Sequence, residues 1–183
     1  YRMLEAKGVE THIVEEVDET NLLVKSVDIL LVEVIVRNVA AGSFCKRVGV
    51  AEGTQFKQPI VEFSYKSDEL GDPLINDDYA REMGLATPAE SAELKEKALI
   101  INEVMIDFFK GAGLKLVDFK IEFGRTKDHD AKIVLADEIS PDTCRLWDLE
   151  TGKKLDKDRF RQDLGGVMEA YEEVLKRVEA ATK

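Results

Sequence analysis

The sequence predicts an α+β fold in which a mainly antiparallel sheet is packed with helices. Apolar and polar residues alternate in "PIVEFSYKS" (59–67) and "LVDFKIEFG" (116–124), as they do in strands of a sheet. Residues 88–111 instead repeat apolar positions at helical spacing. Short turn-like segments separate neighbouring strands, so we expect antiparallel pairing within one domain of mixed α and β structure.

The first half of the chain predicts mainly strands. After a helix end at Gly8, "VETHIVEEVD" (9–18) and "NLLVKSVDILLVEVIVRN" (21–38) are expected to be strands divided by the turn-like "DETN". The segment "AAGSFCKRVG" (40–49) predicts a short helix that starts at residues 41–43 and ends at Gly49. The strand "PIVEFSYKS" then leads into the turn "DELGDPLIND" (68–77).

The second half predicts two helices around a hairpin. Thr87 and Pro88 are a cap and first-turn signal for a helix that ends at "GAG" (111–113). Its apolar positions are Leu94, Ala98, Ile101, Val104, Met105 and Phe108. The strand at 116–124, the loop "RTKDHDA" and the strand "KIVLAD" (132–137) follow. A charged connector (151–166) precedes a terminal amphipathic helix (167–183).

Composition excludes several classes of protein. The net charge is −11, which argues against a nucleic-acid partner. No apolar run approaches the roughly 18 residues of a membrane span, so no membrane partner is expected. Cys45 and Cys144 lack metal-site spacing and suit a reducing, cytoplasmic location. With only two histidines, any metal is expected to have oxygen ligands and to be Mg²⁺.

Acidic residues converge on the predicted hairpin. Asp118, Lys120 and Glu122 share one face of their strand, and the next strand runs directly into Asp137. Pairing of the two strands would bring Asp137 within reach of Glu122 or Asp118. Carboxylates that converge in this way suit a Mg²⁺ site. A solvated sheet face with an acidic rim explains the same pattern, and the residues alone leave both interpretations open.

Basic residues suggest an anion site. Arg37 ends a buried strand, and a turn of small residues leads to Ser43 at a helix start, which together could cradle a phosphate. A tight strand-to-helix turn is the alternative. Arg145, Arg159 and Arg161 lie near acids and are either ordinary surface ion pairs or are reserved for an anionic ligand.

Five segments, in order, resemble the signature stretches of the SAICAR synthase family: "VEVIVRNVAAGS", "EFSYKSDELGDPLIN", "LVDFKIEFG", "LADEISPDTCRLWD" and "LDKDRFRQDLGG". The resemblance covers nearly the whole chain. It implies an ATP- and Mg²⁺-dependent carbon–nitrogen ligase of de novo purine biosynthesis. Such an enzyme joins carboxyaminoimidazole ribotide and L-aspartate to give SAICAR, ADP and phosphate.

The resemblance also implies roles for individual residues. Glu122 and Asp137 would coordinate the metal that serves the nucleotide phosphates. Asp118 and Lys120 would face the reacting carboxylate of the ribotide, which Lys120 would neutralise. The residues implied to hold the ribotide, chiefly through its phosphate, are Arg37, Ser43, Arg145 and Arg161.

The nucleotide side has further implied contacts. Lys66 would contact phosphate or substrate. The backbone of Val27–Leu31, which includes Ile29, would meet adenine in a hinge similar to that of protein kinases. Leu31 stands where the family usually has proline, which affects the expected hinge backbone more than the chemistry.

Family members begin with a small β-rich lobe that covers ATP, and the resemblance begins after it. We therefore expect residues 1–28 to be a remnant of that ATP-binding lobe and residues 29–183 to form the substrate- and metal-binding main domain. A molecule that truly lacks that lobe is expected to bind ATP weakly and to have little or no ligase activity. A non-catalytic ribotide- or nucleotide-binding fragment and a kinase-like phosphotransferase are the alternatives, and a homo-oligomer stays open.

Overall fold

The elements of the fold are described from a computed structural model, which describes residues 1–182. Helices and strands occur in the order α1 (Arg2–Glu5), β1 (Ile13–Glu16), β2 (Leu22–Val24), β3 (Val27–Val39), α2 (Gly42–Val48), β4 (Gln55–Tyr65), β5 (Leu74–Ile75), α3 (Asp77–Glu82), α4 (Pro88–Gly111), β6 (Leu114–Thr126), β7 (Ile133–Ala136), β8 (Cys144–Asp148), α5 (Asp158–Arg161) and α6 (Val167–Ala181). A short 3₁₀ turn at Asp68–Leu70 precedes β5. The described helices include none that is long and apolar enough to cross a membrane.

The strands form two sheets. The larger has the order β5-β4-β3-β6-β7, with β8 also paired to β6, and β1 pairs with β2 in a separate two-stranded sheet. The pairs β1/β2, β4/β5, β6/β7 and β6/β8 are antiparallel. The predicted α+β class with a mainly antiparallel sheet is therefore confirmed.

Most predicted elements are present, with four additions, namely β5, α3, β8 and α5. The helix at 42–48 ends as predicted at Gly49, which has a φ of 70°. The predicted strand at 21–38 is divided into β2 and β3. Strand β5 and the first residue of α3 lie in the predicted turn at 68–77, and α5 lies in the predicted charged connector, whereas β8 lies in a segment for which no element is predicted. Asn76 caps α3 by accepting a hydrogen bond from the backbone of Tyr79, and asparagine is a common helix-start signal.

The chain divides into two compact units. Unit 1 contains Tyr1–Ile35, Val61–Ile101 and Ile121–Glu138, and unit 2 contains Val36–Ile60, Asn102–Lys120 and residues from 139 onward. This division differs from the boundary expected at residue 28, which remains a prediction about the two lobes.

Each unit has its own buried core. In unit 1, the first half of α4 contributes Leu94, Ala98 and Ile101, each fully buried, and β6 contributes Ile121 and Phe123. In unit 2, apolar residues of β3, β6 and β8 are buried, namely Val36, Val39, Leu114, Val117, Phe119 and Leu146. Trp147 packs against the unit 2 cluster of Val39, Ala41 and Val117.

Helix α4 begins with a capping box. The Oγ1 of Thr87 accepts a hydrogen bond from the backbone N–H of Glu90 at 3.2 Å, and Oε2 of Glu90 accepts from the N–H of Thr87 at 2.7 Å. Oε1 of Glu90 also accepts from Nε of Arg125, on β6, at 2.7 Å. Arg125, together with Thr87, lowers the pKa of Glu90 to about 2.

Glu90→Gln should therefore destabilise the protein in a pH-dependent way. Because the folded-state pKa of Glu90 is depressed, its contribution is complete above the unfolded pKa of 4.5 and is lost as the pH falls toward 2. We expect a loss of about 1 to 2 kcal/mol of unfolding free energy at pH 7. Urea unfolding from pH 8 to pH 4 should give a constant difference above pH 5 that shrinks below 4.5. Glu93→Gln, one turn further on, is the control, and an equal loss for both variants would contradict the assignment.

Candidate active site

Asp118 of β6 binds two arginines in unit 2. Its Oδ2 accepts hydrogen bonds from Nη1 of Arg37, on β3, and from Nη1 of Arg145, on β8, each at 2.9 Å. Nη1 of Arg145 also lies 3.1 Å from Oδ1. The three side chains are between 3% and 9% exposed. Because the charges are buried, each depends on the others for compensation.

A β-bulge directs Asp118 toward Arg145. Leu116 pairs with Leu146, whereas Asp118 pairs with Arg145, so β6 advances two residues while β8 advances one. The extra residue, Val117, is fully buried. Bulges commonly turn a neighbouring side chain toward a site. Here the bulge places the carboxylate directly opposite the arginine that it binds.

Arg145 has a second carboxylate partner. Its Nε donates to Oδ2 of Asp158, on α5, at 2.9 Å, and Asp158 is 1% exposed. Asp156 supports this arrangement, because its two carboxylate oxygens accept the backbone N–H groups of Leu146 and Asp158, each at 2.8 Å. The turn that carries Asp158 is thereby tied to the strand that carries Arg145.

Burial and neighbouring charges shift pKa values in this network. Burial would lower the pKa of Arg145, but the charges of Asp118 and Asp158 more than offset it, so the pKa lies above its usual value. Burial also raises the pKa of Asp156 to about 6, against the effect of the Asp158 backbone N–H. Burial, followed by the charge of Arg145, lowers the pKa of Lys157. Arg145 is therefore a permanent cation in the network.

The other unit 2 residues that the resemblance implicates differ in exposure. Ser43 is exposed and is the second residue of α2, and Arg161 is exposed at the last position of α5. Lys120 is half-buried, and its backbone N–H donates to the carbonyl of Thr143 at 2.9 Å. Their roles toward a ribotide remain predictions.

Unit 1 contains a second buried carboxylate of β6. Oε1 of Glu122 accepts a hydrogen bond from Nζ of Lys66 at 2.8 Å, and the Glu122 side chain is 3% exposed against 39% for Lys66. Glu122 pairs with Ala136 of β7, and Asp137 follows directly with a φ of 57° and an exposed side chain. The predicted hairpin is confirmed, with Asp137 one residue beyond the partner of Glu122.

The donor chemistry of Glu122 and Asp137 fits Mg²⁺. Both supply carboxylate oxygens, the ligand type that Mg²⁺ prefers. Within residues 1–182, no three or more acidic, His or Cys side chains are grouped so that they could hold a metal ion. Mg²⁺ commonly takes one or two carboxylates and completes its shell with water and substrate phosphates, so a small donor set suits it.

The predicted adenine hinge is the first part of β3. Ile29 is half-buried and Leu31 is 44% exposed, and the carbonyl of Leu31 accepts the backbone N–H of Lys66 at 3.1 Å. Gly124 of β6 lies against this segment, because a Cβ at Gly124 would be 2.5 Å from Cγ2 of Val27. The contact of the hinge with a nucleotide remains a prediction.

The interpretation of β6 as a solvated sheet face is wrong. Asp118 and Glu122 are 2% and 3% exposed, because guanidinium or ammonium partners compensate their charges. Arg145 is likewise a buried network member and not a surface ion pair. Asp137 and Glu138, by contrast, are exposed, as an acidic rim would be.

Several residues of the unit 2 network are not predicted by the sequence patterns. Asp156 and Asp158 lie in a segment whose composition indicates a charged connector. Leu155 in the same segment is an apolar signal for a folded turn, and it is only 2% exposed. Gly42 is one of the small residues of a turn. Its contact with the guanidinium of Arg145 has no sequence signal, since the two residues are distant in the chain.

Buried carboxylates paired with guanidinium and ammonium groups on the central strands of an α+β sheet are typical of an enzyme that binds anionic substrates. The particular family follows from comparison. The model of the SAICAR synthetase family matches residues 1–178, and the chain belongs to this family.

Relatives match over nearly the whole chain. The phosphoribosylaminoimidazole-succinocarboxamide synthase of Akkermansia muciniphila is 70% identical over 179 residues, which are 98% of this chain and 76% of the relative. The crystal structure of that synthase from Ehrlichia chaffeensis has a TM-score of 0.94 at 46% identity and covers 98% of this chain and 76% of its own. A SAICAR synthetase in complex with ADP has a TM-score of 0.91 at 47% identity, and the match covers 97% of this chain and 75% of its own.

Asp118→Asn should destabilise unit 2 strongly. The substitution keeps the shape but removes the charge that two buried arginines require, so we expect a loss of about 3 to 5 kcal/mol of unfolding free energy. Chemical denaturation measures it. Asp78→Asn, which removes the exposed ion pair with Arg81, is the control and should leave the unfolding midpoint unchanged. A loss below about 1 kcal/mol for Asp118→Asn would mean that the network contributes no more than a surface pair.

Proposed function

We propose that this chain is an ATP-dependent ligase that joins carboxyaminoimidazole ribotide and L-aspartate to give SAICAR, ADP and phosphate in de novo purine biosynthesis. Membership of the SAICAR synthetase family and the ADP complex of a relative at 47% identity support the reaction and the nucleotide. A relative that carries the synthase name is 70% identical over 98% of this chain, which supports the ligase.

The observation that carries the proposal is the buried cluster of Arg37, Asp118 and Arg145. Guanidinium groups bind phosphate and carboxylate oxygens in a defined geometry. Both arginines are oriented by Asp118 before any ligand arrives. We assign them to the ribotide, chiefly its phosphate, with Ser43 and Arg161 as further contacts. Preorganised cations lower the cost of orienting a ligand.

The chemistry must make a carboxylate reactive toward an amine. In the reaction, a C–N bond replaces a C–O bond of the ribotide carboxylate, and the oxygen leaves in phosphate as ATP is cleaved to ADP. Lys120, next to the Asp118 network along β6, is assigned to neutralise that carboxylate so that an anionic phosphoryl group can approach. The amine of L-aspartate then attacks the activated carboxyl carbon, and phosphate leaves. The protein contributes by holding the reactants together.

Glu122 and Asp137 are the residues that would hold Mg²⁺, which supplies charge neutralisation at the nucleotide phosphates. In the structure, Lys66 compensates the buried Glu122 carboxylate. Lys66 is 39% exposed, so its ammonium can also reach a phosphate at the protein surface. The backbone near Ile29 is proposed as the adenine contact.

The cysteines support a cytoplasmic location for this activity. Cys45 and Cys144 are both free, and burial raises the pKa of Cys144 to about 12, so its thiol is unreactive. Free thiols are typical of proteins in reducing compartments.

The purified protein should release ADP from ATP only when both carboxyaminoimidazole ribotide and L-aspartate are present. A coupled assay for ADP, with omission of each substrate in turn, measures this. The amine is required because it completes the C–N bond. ADP release that is independent of aspartate would indicate a kinase-like phosphotransferase instead, and the absence of release with all three substrates would contradict the ligase.

Two substitutions should separate the metal and ribotide assignments. Glu122→Gln removes a metal-ligand charge and should lower kcat by about 100-fold or more, with the folded structure retained. Arg37→Ala should chiefly raise the KM for the ribotide. Glu138→Gln, an exposed acid next to Asp137, is the control and should be near wild type. If Glu122→Gln keeps normal activity and Mg²⁺ dependence, the metal assignment is wrong.

A further inference from the structure

Gly42 lies directly against the guanidinium group of Arg145. A Cβ at position 42 would overlap Nη2 of Arg145 and would be 2.7 Å from its Cζ and 3.0 Å from its Nη1. Real Cβ atoms do not approach other heavy atoms so closely, so any side chain at position 42 would force the guanidinium to move. Gly42, the first residue of α2, therefore leaves room for the guanidinium of Arg145 because it has no side chain.

The carboxylates hold two other edges of the same guanidinium. Asp118 accepts from Nη1, and Asp158 accepts from Nε at 2.9 Å. Among residues 1–182, the side-chain hydrogen bonds that Arg145 donates use only these two nitrogens. Nη2 is the guanidinium nitrogen that lies nearest to Gly42, at the start of α2.

We propose that Gly42 and Asp158 are positioning residues that together set the orientation of Arg145 for the ribotide. Gly42 has no side chain and so leaves room for the guanidinium of Arg145. Asp158 limits rotation of the guanidinium by accepting a hydrogen bond from Nε, while Asp118 accepts from Nη1. Neither positioning residue needs to touch the ribotide. The inference rests on the proposed function for the identity of the ligand, but the contact itself is independent of it.

A matched glycine exists at the other end of α2. Gly42 and Gly49 both have positive φ values, 57° and 70°. A Cβ at position 49 would have no atom within 4 Å, whereas one at position 42 would meet Arg145. Substituting alanine at either position imposes a similar backbone penalty. Only at position 42 does the new methyl group displace an arginine.

The experiment compares Gly42→Ala with Gly49→Ala in steady-state kinetics. We expect Gly42→Ala to raise the KM for the ribotide by about 10- to 100-fold, as loss of a charged hydrogen bond would. Its kcat and its KM values for ATP and aspartate should stay within about twofold of wild type. Gly49→Ala should change none of these constants. Equal effects of the two variants would overturn the proposal, because backbone strain would then explain both.

A double-mutant cycle tests whether Gly42 acts through Arg145. In an Arg145→Ala background, Gly42→Ala should cause no further rise in the KM for the ribotide. Additive effects would overturn the proposal. Binding of the ribotide, measured by calorimetry on the same four proteins, should follow the same pattern. If wild-type protein binds the ribotide but lacks ligase activity, the proposed function fails while the positioning inference is still tested.

Asp158 is tested by graded substitution. Asp158→Asn keeps an acceptor for Nε and should raise the KM for the ribotide less than Asp158→Ala does. Thermal unfolding identifies any Asp158 variant that fails to fold. In that case the double-mutant cycle of Gly42→Ala with Arg145→Ala is the test of the proposal. Equal KM values for folded Asp158→Ala and wild type would remove Asp158 from the proposal.

Discussion

The carboxylate of Asp118, buried between two arginines, is the interaction on which the rest of unit 2 depends. Moving an isolated charge into a protein interior costs several kcal/mol after relaxation, and only well-oriented partners offset it. Arg37 and Arg145 come from different strands, so β3, β6 and β8 must keep their register for the charges to meet. A register slip of one residue would turn each side chain to the opposite face.

The charges around this network bear on the anion binding that we propose for it. Asp118 and Asp158 balance Arg37 and Arg145, so the four charges can be buried without a ligand. Lys157 lies close enough that the charge of Arg145 helps to lower its pKa, in addition to burial. A negative ligand would relieve such repulsion between cations, which supports the proposed anion binding at a protein with a net charge of −11.

Sequence patterns predict the elements well and the environment of the site less well. Period-two alternation in β6 and the capping residue of α4 depend on local chemistry, and both appear in the structure. Alternation cannot distinguish a wet face from a buried charged one, because burial of Asp118 depends on partners 81 and 27 residues away. Strand β8 is not predicted because it also depends on residues that are distant in the sequence. A short segment after a turn becomes a strand here because β6 pairs with it.

The two carboxylates of β6 have different cations, which agrees with the different tasks that we propose for them. Asp118 is bound by arginines, which stay charged, present several donors in a rigid plane and are suited to a permanent arrangement. Glu122 is bound by Lys66, a single mobile ammonium whose side chain is 39% exposed. A point charge on a flexible stem can move aside for a divalent cation at little structural cost, whereas removal of an arginine would leave the buried Asp118 carboxylate without one of its two partners. The choice of lysine in unit 1 therefore agrees with a carboxylate that exchanges partners, and the choice of arginine in unit 2 with one that does not.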